Sequence, residues 1–368
     1  MMKQFKQKLA SPAYVGFMSS VITILAGLLF GFLLLLALNA PAALDGMGAL
    51  LSNGISNLNS FAKVLYQAAP LMMCGLSVGF AFKTGLFNIG APGQYTMGAF
   101  CAILLATQFQ MPWWVCLLGS MVGGAVWGLF PGLFKALFNV NEVITSIMFN
   151  WIGVYLINLI FANLPMTLAN YWGATNSDRT ADLAKANPDA MIPRLGLDKL
   201  FGSTYMNISI FIAIILAIVM YVVLNKTTFG YELKACGLNK NASLYAGINA
   251  NRNIVLSMVI AGALAGIGGG LYYLAGTGQY VLEKAILSRG FDGIPVALLA
   301  NSNPVGTIFT ALFISYLSVG GSAMQPNFST ETVNIIISVI IYLAAFSLLV
   351  RNLLGKAFKP KATKEDKQ

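Results

Sequence analysis

The chain contains no histidine among its 368 residues. That removes the side chain most often used as general base, proton relay and metal ligand near neutral pH. Charge is also scarce. Asp, Glu, Lys and Arg make up 9% of the residues, against about 25% in soluble domains. The four cysteines, Cys74, Cys101, Cys116 and Cys236, form no C-x-x-C pair. Three of them sit in apolar runs and read as small core hydrophobes, so neither a disulfide nor a metal site follows. No Gly-Lys-Ser/Thr follows the glycines at 266–270, which excludes a phosphate-binding loop there. The confident apolar runs also lack ionisable residues: Lys83, Lys135 and Glu142 stand at run ends, and Asp292 begins a short one. An ion-coupled carrier normally needs a buried carboxylate or histidine, and a membrane-embedded enzyme needs a nucleophile–base pair. Both readings are disfavoured.

What the chain has is apolar sequence, 57% of its residues. Several runs exceed the roughly 18 residues that mark a membrane span. The chain therefore reads as an all-α polytopic membrane protein. Spans are expected near 15–39, 61–82, 92–108, 113–137, 143–163, 205–224, 253–276, 290–301, 305–322 and 333–350. Some of these are broken or short, so the count is about eight to ten. The first run follows Lys3, Lys6 and Lys8 and is 25 residues long, longer than the 7–15 residues or so of a signal-peptide core. The Ala40-Pro41-Ala42 sequence after it faintly resembles a cleavage site, but the run is read as an uncleaved first helix.

Ten spans would put both termini on one side of the membrane. Of the 22 Lys and Arg, fifteen then fall on the side of the termini and seven on the other. The positive-inside rule makes the first side cytoplasmic. The expected layout is a cytoplasmic N-terminus (1–14), a transmembrane region (15–350) and a basic cytoplasmic tail (351–368), which contacts anionic headgroups at most. Within the transmembrane region, 164–204 is the long external loop and 225–252 the main cytoplasmic loop. The net charge of +10 invites a nucleic-acid reading, but the cations are confined to short loops and the tail, as in a membrane protein. Glycine ladders at 124/128/132 and 262/266/270 are small-xxx-small patterns that let helices approach closely in lipid.

The most informative segment is GLFNIGAPGQYTMGAF, residues 85–100. It is apolar, yet glycines and Pro92 should break its helix, and Asn88 and Gln94 bring amides to membrane depth. Lipid cannot satisfy broken backbone, so such a segment must lie inside protein or beside a watery cavity. A second interrupted segment, RGFDGIPVALLANSNPVGT (289–307), carries Pro295, Pro304, Asn301 and Asn303. Interrupted segments in both halves of a chain point to a central transport site. Asn150 and Asn158 lie roughly on one helix face, with Trp151 beside Asn150. The candidate path residues are therefore Phe87, Asn88, Gln94, Asn150, Trp151 and Asn301, which suit an uncharged polar ligand with a flat ring. The plain alternative for each single Asn is an interhelical hydrogen bond.

The cytoplasmic loop KTTFGYELKACGLNKNASLYAGINANRN writes two short helices. One runs from about Tyr231 to Cys236 and stops at Gly237. The other has Asn239 as N-cap and Gly247 beyond its C-terminus, with Leu244 and Tyr245 as an apolar patch. Such a knob fits a groove on another protein, and a chain without its own phosphate loop needs a partner that hydrolyses ATP.

Residues 85–100, NEVITSIMFNW (141–151), FGYELKACGLNKNASLYAGIN (229–249) and GFDGIPVALLANSNPVG (290–306) together resemble the permease subunits of bacterial ABC importers. The resemblance is to the superfamily of branched-chain amino acid and simple-sugar permeases, and within it to the nucleoside group that works with basic-membrane-protein-type lipoproteins. It covers residues 60 to 350 or so. Pro92 departs from it, because many relatives carry an acidic residue there. The resemblance implies a type II importer fold in the bacterial cytoplasmic membrane, with no catalytic centre and no cofactor in this chain. It implies ATP and Mg bound by a partner ATPase, a second permease chain, commonly a paralogue, and a lipid-anchored substrate-binding protein. Phe229, Gly230, Glu232, Gly237, Asn239, Leu244, Tyr245 and Gly247 fall on the family's ATPase-coupling loop. The ligand, a nucleoside, comes from the resemblance alone, with simple sugars and branched-chain amino acids as alternatives.

Overall fold

The computed structural model describes residues 12–346 and Val350. Lys3, Lys6, Lys8 and the tail 351–368 lie outside the described residues. The architecture is helical. Among the described residues there are no strands, only isolated bridges pairing Leu168 with Thr180 and Arg179 with Val281. The helices are α1 (Pro12–Ser52), α2 (Leu58–Lys83), α3 (Ala91–Thr107), α4 (Trp113–Phe138), α5 (Glu142–Ala162), the short α6 (Leu183–Ala186) and α7 (Leu197–Phe201), α8 (Ser209–Lys226), α9 (Thr228–Leu238), α10 (Lys240–Tyr245), α11 (Ala250–Tyr273), α12 (Arg289–Leu299), α13 (Pro304–Ser322) and α14 (Thr330–Ala345). Seven described helices are long and apolar enough to cross a membrane.

The described residues pack as two units, 12–53 with 317–346 and 350, and Gly54–Tyr316. In the first unit, α1 extends well past residue 39, where the first span was expected to end. Asn39 takes a non-helical φ of −154° and kinks the helix, and Pro41 then restarts it. A proline in a first helical turn has no N–H to lose and its φ is already set. Gly27 and Gly31 bring α1 onto Ile340 and Ile336 of α14. Leu25, Leu29 and Leu33 face outward, as lipid-facing side chains do.

In the second unit, α11 is the central post. It packs on α2, α3 and α4, and its glycines make this possible. A Cβ on Gly124 would lie 2.2 Å from the Gly262 carbonyl oxygen, and one on Gly266 would lie 2.3 Å from that of Ser120. The two ladders read from the sequence thus lie against each other, backbone on backbone. Without a hydrophobic driving force between helices in lipid, such close contact is a main source of association.

The long connection 163–208 is an ordered cap. Thr180 donates its N–H to the Tyr280 carbonyl, Asn187 donates to the carbonyls of Ala106 and Met111, and Ser203 bonds Asn59. At the opposite end of the bundle lie Lys83, the turn at 300–303 and the α9–α10 loop.

Candidate functional site

The break predicted within 85–100 falls between α2 and α3. Thr84 ends α2 and bonds the Ala81 carbonyl. Gly85 then turns the chain at φ +72°, a conformation L side chains resist. Phe87 packs tilted against Phe82, with ring centroids 5.1 Å apart. The chain next doubles back alongside α2, and Asn88 donates to the Ser77 hydroxyl at 3.0 Å. Ser77 is six residues, or about 9 Å of helix, back from Lys83. α3 starts there rather than at the bundle's end, with Pro92 in its first turn.

Amides close this break. Asn88 and Gln94 exchange reciprocal hydrogen bonds of 2.8 and 3.1 Å, and the Asn88 oxygen also accepts from Gly90 N–H. Asn150 on α5 brackets the start of α3. Its oxygen accepts from Gly93 N–H at 2.9 Å and its amide donates to the Ile89 carbonyl at 3.0 Å. All three amides are fully buried. Asn88 and Asn150 do what lipid cannot, satisfying backbone freed by the broken helix, and Gln94 holds Asn88 in place. Trp151, the next residue on α5, is 41% exposed and stacks on Tyr155. It points away from the amides because successive helical residues diverge by about 100°.

The second interrupted segment meets the first. α12 has 11 residues and α3 has 17, both short of the 20 or so that span a bilayer. Gly290, in the first turn of α12, packs directly on Pro92, and Gly293 packs on Cys74 of α2. The two short helices therefore begin beside each other, with both positive dipole ends at one junction, the arrangement found at transport sites built from discontinuous helices. Asn301 is elsewhere. It occupies an exposed turn at φ +50°, where its carbonyl accepts from Lys83.

Sequence reasoning missed what surrounds this junction. Arg289, counted among the loop cations, folds inward. Its guanidinium lies 4.1 Å from the centroid of the Tyr272 ring and donates to the Tyr272 hydroxyl at 3.3 Å. Tyr66 packs tilted against Tyr272 at 5.5 Å between centroids, and Tyr205 follows at 5.5 Å from Tyr66. Tyr95 of α3 and Tyr273 of α11 belong to one packed cluster with Tyr280, against which Tyr272 also packs. Beyond them, Tyr280 donates to Asn158 at 3.2 Å. Burial pushes the Tyr280 phenol up to about 12, so it keeps that proton at any physiological pH. The available signal was an arginine opening an interrupted apolar segment, since an ionisable group at membrane depth marks function by default.

The cytoplasmic-loop reading maps onto α9 and α10. The Thr227 side chain caps α9 by accepting from Gly230 N–H, so this helix starts earlier than Tyr231. It also runs through Gly237 to Leu238 rather than stopping there. Gly237 has a different task. A Cβ on it would sit 2.7 Å from the Thr84 carbonyl carbon, and one on Gly85 would sit 2.8 Å from the Gly237 Cα. The knob thus rests backbone to backbone on the first residue of the broken segment. Glu232 accepts from Asn253 of α11, and Phe229 lies on the first turn of α9. Asn239 caps α10, accepting from the N–H groups of Asn241 and Ala242, and Gly247 follows at φ +79°. Leu244 is exposed, and Tyr245 is 94% exposed. Among the described residues no cluster of His, Cys, Asp and Glu could hold a metal ion.

Three comparisons bear on this arrangement. Guanosine ABC transporter permease protein NupP of Bacillus subtilis is 34% identical over 92% of this chain and 96% of its own. Nucleoside ABC transporter permease protein NupB of Lactococcus lactis is 35% identical over 95% and 96%. Glucose ABC transporter permease protein TsgB13 of Haloferax volcanii is 30% identical over 94% and 92%. No solved structure matches. Residues 60–345 match the model of one family, covering both short helices, the amide-closed break and the knob. The chain is a multi-pass membrane protein that belongs to the family of branched-chain amino acid transport system permease components.

Proposed function

We propose that this chain forms one half of the translocation path of an ATP-driven nucleoside importer in a bacterial cytoplasmic membrane. The observation that carries the mechanism is the junction of two short helices, α3 and α12, with the exposed knob resting on its connecting strand at Gly85 and Gly237. The nucleoside reading is supported by what NupP and NupB are named for, and by alignments that span nearly the whole chain.

In this reading an ATPase subunit, which binds ATP and Mg, seats α10 in a cleft. Leu244 and Tyr245 are the anchors, Asn239 and Gly247 hold the helix ends, and α9 with Phe229, Gly230 and Glu232 fixes the knob to the bundle. Movement of α9 passes through Gly237 to the segment from Gly85 to Gly90. Asn88, Gln94 and Asn150 latch the path, sealed in this conformation and wetted when the junction parts, with Phe87 flanking them on the knob side. Trp151 and Asn301 border the path only where a second permease chain, a paralogue, faces them. A lipid-anchored binding protein delivers ligand onto the 164–204 cap, and the termini lie in the cytoplasm, as the distribution of Lys and Arg supports.

The test is uptake of labelled guanosine and uridine by cells whose only nucleoside uptake system contains this chain. Uptake is expected to vanish on deletion of the chain and return with it. No nucleoside uptake, together with chain-dependent uptake of labelled glucose, the ligand named for TsgB13, would favour a monosaccharide instead.

A further inference from the structure

We propose that Arg289, Tyr272, Tyr66 and Tyr95 form the recognition site for the ring of the transported ligand, and that the guanidinium selects rings with carbonyl and imine acceptors on one edge. The proposal rests on the nucleoside reading. The geometry supports it in four ways. First, Arg289 lies in an apolar bundle, yet among the described residues it forms no ion pair and donates only one hydrogen bond, to Tyr272. A guanidinium has five donors in a planar fork and no acceptor, so most of its donors make no hydrogen bond within the described protein, although Asp292, one turn along α12, feels its charge. Second, the Tyr95 hydroxyl is fully buried and has no hydrogen-bond partner, although buried hydroxyls are nearly always satisfied. Third, Arg289 and Tyr272 remain partly accessible, while Tyr66 and Tyr205 continue the line of rings beside them, with Lys63 5.3 Å from the last ring. The buried Tyr66 backs the line, and a flat ligand meets the partly accessible Tyr272 and Tyr205 on either side of it. Fourth, the first turns of α3 and α12 meet here, and their positive dipole ends favour electron-rich ligand atoms.

The selectivity follows from donor and acceptor counts. A 6-oxopurine presents two adjacent acceptors, O6 and N7, which a guanidinium fork matches in a bidentate pair. A 6-aminopurine replaces one of them with a donor, which the fork repels. The site should therefore pass inosine better than adenosine, independently of what the binding protein prefers.

The experiment measures uptake of labelled inosine and adenosine by cells carrying the complete importer, at concentrations that saturate the binding protein. Affinities of the binding protein are measured separately. In Arg289→Gln the inosine-to-adenosine rate ratio is expected to fall about tenfold, the scale of one good bidentate pair. Tyr95→Phe is the decisive partner variant. It deletes a hydroxyl that bonds nothing in the protein, so a purely structural role predicts unchanged or improved folding and unchanged uptake. The proposal predicts a several-fold fall in the uptake rate with normal membrane levels. An unchanged ratio in Arg289→Gln, or equal loss of both substrates together with wild-type behaviour of Tyr95→Phe, overturns the proposal. If Arg289→Gln does not assemble, Tyr95→Phe alone decides. Failure of the wild-type importer to move any nucleoside overturns the nucleoside reading and this inference together, whereas an active wild type with indifferent variants overturns the inference alone.

Discussion

Asn150→Leu is the sharpest test of how the broken segment is held. The side chain is fully buried, accepts from Gly93 N–H at 2.9 Å and donates to the Ile89 carbonyl at 3.0 Å. Leucine has similar bulk but leaves both backbone groups unpaired. Each such group costs about 1–3 kcal/mol when stranded in a dry interior. The added apolar surface returns about 1 kcal/mol. Measured interhelical hydrogen bonds in membrane proteins average nearer 0.6 kcal/mol, which sets the lower bound for each. Two stranded groups less the apolar gain give an expected loss of about 1–5 kcal/mol, falling to about 0.2 kcal/mol at that lower bound. The assay is thermal unfolding of the purified complex, followed by a dye that fluoresces on reaction with thiols. All four cysteines are free, and Cys74, Cys116 and Cys236 are buried, so they report unfolding directly. Trp151→Leu, one residue along on the exposed face, is the control and should cost less than about 1 kcal/mol. Equal melting of Asn150→Leu and wild type would refute the claim that this amide closes the break.

Three further outcomes are expected. Tyr245→Asp should abolish transport and stimulation of the ATPase while leaving the melting of the permease unchanged, because Tyr245 is 94% exposed and a charge desolvated in a docking cleft costs several kcal/mol; unaffected transport would remove this helix from the interface. Gly237→Ala forces a Cβ to within 2.7 Å of the Thr84 backbone and should cost about 1–3 kcal/mol, with ATP hydrolysis retained but poorly coupled to uptake; full coupling would show that the Gly85–Gly237 contact transmits nothing. Cysteine at position 88, in a background without the native cysteines, should be inert to a small water-soluble thiol reagent at rest and reactive in a nucleotide-trapped state, and inertness in every state would place the path elsewhere.

How far the sequence could be read depended on the range of each signal. The glycine ladders at 124/128/132 and 262/266/270 were legible because close approach in lipid leaves a four-residue period in the chain itself. Asn239 and Gly247 were legible for the same local reason, as caps written beside the helix they bound. Gly237 also looked like a helix stop, but its glycine serves a contact with Gly85, 152 positions away, and such partners leave no trace in local spacing. Pro41 looked like the end of a span, yet with Asn39 absorbing the kink it begins a second helical stretch. Trp151 was grouped with Asn150 by adjacency, although neighbours on a helix face different ways. Arg289 was the largest omission. Charge counting placed it in a loop, and only the packing of α12 on α3 brings it to the tyrosines.

The central claim is that a path built from two short helices is driven through an external knob by a partner's ATP. Uptake into proteoliposomes holding the complete purified importer tests it most directly. With ATP supplied to the ATPase side, labelled nucleoside is expected to accumulate at an undiminished rate after ionophores collapse the proton and sodium gradients, and to stop when ATP is withheld. Accumulation that requires an ion gradient, or that continues in the absence of ATP, would contradict the account.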